Sequence, residues 1–265
     1  MNTSEVEALF AQTLLGDYED EAAWTAVSAL RRDGSREIFE QAAAWCAADD
    51  PLKRARAAAI LCQLRRARVM DAPEEKPDWM FRDESCLLFT KMLENEQDPV
   101  VLDSAISALG HLDDAKAVPL ILSYQDHPDG RVRFAVAFAL GQFSNDPQSV
   151  DGLLKLTSDA GADVRDWAVF GLGVLGDADS PEIRTALLRC LDDANEDVRE
   201  EAAVGLGKRR DQRLLPKLQA MLDEGGLKVR VAEAAAALLG LDQEPPEWGA
   251  ADYKAAIKSK FRISD

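Results

Sequence analysis

Five apolar stretches of this chain close on the same dipeptide: Leu109-Gly110, Leu140-Gly141, Leu172-Gly173, Leu206-Gly207 and Leu239-Gly240. Successive glycines stand 31, 32, 34 and 33 residues apart. Self-similarity at a period of about 20 to 50 residues marks a repeat architecture, in which each unit buries its apolar face only against its neighbours. The period therefore restricts the chain to a stack of like units. It also turns the functional expectation from a deep pocket toward an extended binding surface.

Aligned on Leu-Gly, the copies begin at Asp98-Pro99-Val100-Val101, Asp129-Gly130-Arg131-Val132, Gly161-Ala162-Asp163-Val164 and Asn195-Glu196-Asp197-Val198. An earlier copy runs from Asp50-Pro51-Leu52-Lys53 to Leu61-Cys62, with cysteine in place of the glycine. Each opens on a residue type that caps helix N-termini, and Pro51 and Pro99 suit the first helical position. Within the copies Val132, Val136, Ala139 and Leu140 share a helical face, as do Val198, Ala202, Gly205 and Leu206. Glycine inside a helix costs about 1 kcal/mol relative to alanine. Two readings of its recurrence stand: close approach of a neighbouring backbone, or a loosened helix end.

Second helices are expected between these, over 85–96, 117–125, 148–158, 181–191 and 212–222, with apolar spacing such as Ile183, Ala186, Leu187 and Leu191. Short Asp/Gly/Pro turns make the pairs antiparallel. No alternating period-2 segment is present, so the fold class is all-α. Residues 1–49 read as N-terminal capping helices (4–15, 19–32 and 36–48). Residues 50–240 read as repeats with an insertion at about 69–83, and 241–265 as a C-terminal cap, together one domain over 1–265. The last repeat has two possible registers: Val229-Arg230 copies the earlier Val-Arg, whereas Leu239-Gly240 assigns that place to Val231.

Charge narrows the partner. Asp and Glu number 48 against 31 Lys and Arg, a net −17. Binding to phosphate backbones requires clustered cations, so nucleic acid is disfavoured, and a basic partner would be attracted. Cys46, Cys62, Cys86 and Cys190 form neither a CxxC pair nor a cluster with His111 or His127, which argues against zinc and a disulfide framework and fits a reducing cytoplasm. The N-terminus lacks signal-peptide features, and no apolar run approaches membrane-spanning length.

The frame Val132-Arg133…Ala139-Leu140-Gly141, repeated at Val164-Arg165 and Val198-Arg199, resembles the HEAT repeat. It is most similar to the short HEAT-like variety associated with phycobilin lyases. The likeness covers about 50–240. It implies a right-handed α-solenoid of stacked antiparallel helix pairs, with the Val-Arg helix lining the concave face. It further implies that Arg54, Arg133, Arg165 and Arg199 join an inter-repeat polar ladder, interrupted at Leu102.

On that frame the residues three, six and ten positions after each valine are expected to face solvent along the concave wall. They are Ser104, Ser107 and His111; Ala135, Phe138 and Gln142; Trp167, Phe170 and Val174; and Glu201, Val204 and Lys208. Phe138, Trp167 and Phe170, with Phe134 nearby, collect mid-wall. Exposed aromatics ringed by charge make an interaction hot spot, and packing between repeats is the competing reading. The stretch from Cys62 to Gly110 exceeds the later period by about 16 residues, and its excess carries Trp79, Met80 and Phe81. These either fold back on the repeats or dock a partner. The basic run Lys53, Arg54, Arg56, Arg65, Arg66 and Arg68 is read as complementing a helix dipole.

Catalysis finds little support. His111 sits near Ser104 and Ser107, but Ser and His on one helix do not make a triad. Gly171-Leu172-Gly173-Val174-Leu175-Gly176 has GxGxxG spacing, yet it ends a helix instead of linking a strand to one. The sequence thus points to a non-catalytic interaction scaffold or regulator, without cofactor or metal, holding a partner protein or peptide of basic character along the concave face. The alternative, implied only by the repeat subtype, is a bilin lyase-like enzyme or a chaperone of chromophore attachment.

Overall fold

The computed structural model describes residues 1–65, 80–224, 226–243 and 245–263, and every regular element among them is helical. Residues 66–79, which include Arg66 and Arg68 of the basic run and Trp79 of the insertion, lie outside the described residues. The chain divides into two compact units, Met1–Ala139 and Leu140–Asp265, the boundary falling inside one helix.

The first unit holds α1 (Thr3–Gln12), α2 (Glu21–Asp33), α3 (Arg36–Trp45), α4 (Pro51–Leu61), α5 (Arg82–Leu93), α6 (Pro99–His111), α7 (Val118–Leu122) and most of α8 (Gly130–Gln142). α2 packs on α4 and α4 on α6, forming an inner row, with α1, α3 and α5 as the outer partners of α2, α4 and α6. Asp50 and Asp98 cap the inner helices, accepting from Leu52 N and Val100 N at 2.9 Å, and proline follows each. The free N–H groups of a first turn are thereby satisfied. The expected helix over 117–125 shrinks to a 3-10 turn, Ala115–Ala117, and the short α7.

The second unit holds α9 (Pro147–Leu156), α10 (Ala162–Phe170), α11 (Pro181–Cys190), α12 (Glu196–Lys208), α13 (Leu215–Asp223), α14 (Val229–Leu239) and α15 (Ala250–Phe261). Here α10, α12 and α14 form the inner row. Its last register is resolved by burial: Val231 is 2% exposed and Val229 77%. Leu239-Gly240 therefore sets the frame.

The glycines divide between the two readings. A Cβ on Gly110 would lie 2.8 Å from Ala139 Cα, and one on Gly207 2.5 Å from Ala234 O, so the backbones of successive inner helices touch there. Gly240 instead ends its helix with φ +68, a left-handed cap that glycine adopts without steric cost.

Four arginines repeat one local motif. Nη1 donates to the carbonyls six and five residues upstream: Ala48 and Asp49 for Arg54, His127 and Pro128 for Arg133, Asp159 and Ala160 for Arg165, Asp193 and Ala194 for Arg199. Each ties its helix to the turn that precedes it. Arg54 also grips Glu96 at 2.7 and 3.1 Å, and Arg165 grips Asp193 at 2.7 Å through both forks. Such bidentate charge-assisted pairs lock one repeat to the next. Leu102, at the corresponding place in α6, is buried.

Arg56 has a different role from the helix-dipole reading. Its side chain is fully buried. Nε donates to Thr13 O at 2.9 Å, and Nη2 to Tyr18 O at 2.9 Å and Asp17 O at 3.2 Å, pinning the loop between α1 and α2. The guanidinium lies over the rings of Tyr18 and Trp24 at 4.8 and 5.0 Å. Burial pulls its pKa down from the usual arginine value.

Candidate functional site

At the expected positions six and ten after the valine the inner-helix residues are half-buried or exposed, Val204 excepted, whereas three after it only Trp167 is accessible. Ser104, Ala135, Glu201 and Val204 are buried, Ala135 and Val204 completely. At about 100° per residue, a position three after the valine lies only about 60° from it and shares its buried face. The position two after the valine lies nearly opposite. Asp103 and Phe134 occupy it in the first unit, and Asp166 and Glu200 in the second, all half-buried. Sequence reasoning missed these acids because it took the position three after the valine, and not two, as the first outward one.

In the first unit Phe134 and Phe138 are half-buried on α8. The Phe138 ring meets the edge of His111 at 5.0 Å. Gln63 stands beside the same imidazole, its Nε2 3.3 Å from Nδ1. Burial, with the Arg31 and Arg65 charges, holds His111 down to about 4, so the ring is neutral near pH 7. Asp103 accepts from Ser107 Oγ at 3.4 Å and lies 4.0 Å from Arg131. Burial pushes its carboxyl up to about 6, Arg131 opposing and the charges of Glu19 and Asp129 adding to the rise.

In the second unit Gln142 is exposed, and Trp167 and Phe170 are half-buried, their rings edge to face at 5.5 Å. Around them gather carboxylates from three inner helices. Glu201 is 8% exposed, with one oxygen 2.9 Å from Arg230 Nε and the other, Oε2, buried without a hydrogen-bond partner. Asp166 Oδ1 is likewise buried and unpartnered. Burial raises Glu201 to about 7, against the pull of Arg230 and with the charges of Asp166, Glu233 and Glu200 adding to it. Burial, then Asp197 and Asp163, raises Asp166 to about 6. Arg230 bridges Glu201 and Glu233 (2.7 Å) and lies over the Phe170 ring at 5.6 Å. A guanidinium thus already rests on this aromatic and acidic surface, held by ion pairing and a cation–π contact.

Of the insertion, Met80 and Phe81 are described. Met80 N donates to Leu64 O at 2.9 Å, and Phe81 packs on Phe39 with ring centroids 4.5 Å apart. Phe81 folds back on α3. The GxGxxG run forms a π-helical turn, Gly171–Leu175, closed by Gly176 N to Gly171 O at 2.9 Å. Among the described residues no group of His, Cys, Asp and Glu is arranged to hold a metal ion. Nor is any described helix long and apolar enough to cross a membrane.

The family model for HEAT repeats matches residues 87–173 and 164–239. Among solved structures, the Escherichia coli protein YibA is similar at 23% identity, the match covering 99% of this chain and 93% of that one with a TM-score of 0.72. An engineered protein is similar at 17% identity, over 98% of this chain and 72% of that one, with a TM-score of 0.54. Both likenesses concern the fold. No curated protein matches the sequence.

Proposed function

This chain belongs to the HEAT-repeat family, and from that premise we propose that it is a non-catalytic interaction scaffold whose inner-helix wall holds a basic segment of a partner protein. The observation that carries the reading is the surface of the second unit. Asp166 and Glu201 each keep an unpartnered carboxylate oxygen near Trp167 and Phe170, and Arg230 occupies part of that surface. Aromatic rings supply contact area at small entropic cost, and flanking carboxylates select cations. In the first unit, taken by itself, Phe134, Phe138 and His111 stand with Asp103 as candidates of the same kind, and Gln142 adds an exposed amide in the second. The net charge of −17 favours approach of a basic chain and disfavours nucleic acid.

Met80 and Phe81 are secondary candidates, with Trp79 beside them in sequence. The narrower likeness to phycobilin-lyase repeats has no residue-level observation behind it and forms no part of the proposal. The test is fluorescence anisotropy of a labelled Lys/Arg-rich peptide against wild type, Trp167→Ala and Phe170→Ala. Loss of binding in variants with unchanged far-UV circular dichroism supports the reading. Equal binding by all three overturns it.

A further inference from the structure

The end of α2 carries the opposite chemistry. Ser28, Arg31, Arg32, Gln63 and Arg65 line a cleft of about 260 Å³. Arg31 is fixed by its own scaffold: Nε donates to Ala59 O at 2.7 Å, Nη1 to Gln63 Oε1 at 3.1 Å, and Nη2 to Cys62 Sγ at 3.7 Å. A guanidinium has five N–H groups, so two of them remain uncommitted among the described residues. Among the described residues Arg32 spends only Nε, on Ser28 O at 3.1 Å. Neither arginine pairs with a carboxylate among the described residues, whereas Arg36, Arg54, Arg165 and Arg184 each do. In a chain with 48 acids to 31 bases, two adjacent arginines without an acidic partner among the described residues make a local excess of positive charge. The excess is felt nearby: the charges of Arg31 and Arg65 both act to keep His111 unprotonated.

We propose that this cleft binds a phosphate monoester, with Arg31 as the rigid anchor and Arg32 as the second fork. Planar guanidinium donors match the tetrahedral oxyanion and bind it through paired hydrogen bonds. An anchor already held by three protein acceptors loses little entropy when the anion arrives. The Ser28 hydroxyl lies on the same wall and supplies a neutral donor. This site belongs to the first unit and shares no residue with the acidic wall of the second, so either can fail without the other.

The experiment is a calorimetric titration of the full chain with inorganic phosphate and, separately, with a phosphoserine peptide. The expected result is saturable binding in the millimolar range or tighter that weakens with added salt. Arg32→Gln should lower the affinity about tenfold or more. Arg36→Gln, which removes an arginine already engaged with Glu40 and Glu84, should leave it unchanged. A tighter fit to the peptide identifies a phosphorylated segment as the ligand, and equal affinity identifies a small phosphate ester. No saturation by either probe up to about 10 mM, or equal losses in the two variants, overturns the proposal.

Discussion

A Cβ on Gly207 would stand 2.5 Å from the carbonyl oxygen of Ala234, so α12 and α14 meet backbone against backbone. On Gly141 the nearest atom would be 3.7 Å away, an ordinary contact. Gly207→Ala should therefore destabilise by about 1–3 kcal/mol through overpacking. Gly141→Ala should be neutral or gain up to about 1 kcal/mol from helix propensity. Urea midpoints of the two variants check the contrast, and equal losses would count against close approach as the reason for the repeated glycine.

Arg56 should behave as a core residue despite its charge. Arg56→Ala opens a cavity and leaves the carbonyls of Thr13, Asp17 and Tyr18 short of a donor, at a cost of about 3–5 kcal/mol. Thermal unfolding measures it. A change within about 0.5 kcal/mol, the usual range for a surface substitution, would assign Arg56 to the helix dipole after all.

The Arg165–Asp193 pair is bidentate at 2.7 Å, with side chains 16% and 12% exposed. A double-mutant cycle with Arg165→Gln and Asp193→Asn should return a coupling of about 1–2 kcal/mol, above the usual surface pair. Coupling near zero would make the ladder ornamental to stability.

Glu201 imposes a pH dependence of known sign. Its folded pKa of about 7 exceeds the ordinary value of 4.5. Between those values the folded chain keeps a proton that the unfolded chain has released. The stabilising contribution is complete below pH 4.5, declines as pH rises, and is gone above 7. Urea midpoints from pH 4.5 to 8 should therefore fall more steeply for wild type than for Glu201→Gln. Parallel curves would show that Glu201 titrates normally.

The all-helical fold and the repeat frame were legible because capping residues, apolar spacing and the Leu-Gly period are local signals. Val132 and Val164 fix the buried face of α8 and α10 without reference to anything distant. The wall was partly legible: Phe138, Phe170 and Gln142 are accessible as their spacing implies, whereas Ser104 and Ala135 turn inward and Asp103 and Asp166, two after the valine, were not singled out. Arg56 was beyond local reading altogether. Its partners Thr13 and Tyr18 are 43 and 38 residues away, and no periodicity encodes that a particular arginine turns inward. The Arg31 cleft escaped for a related reason: its walls come from α2 and the segment just after α4, joined only by the fold.

The central claim, that the wall around Trp167 receives a basic segment, is tested most directly by titrating a Lys/Arg-rich peptide into wild type and Trp167→Ala by calorimetry at low and at high salt. The account predicts saturable binding to wild type that weakens as salt screens the carboxylates, and at least about tenfold weaker binding to the variant. Absence of binding at low salt, or equal affinity in wild type and a folded variant, would contradict it.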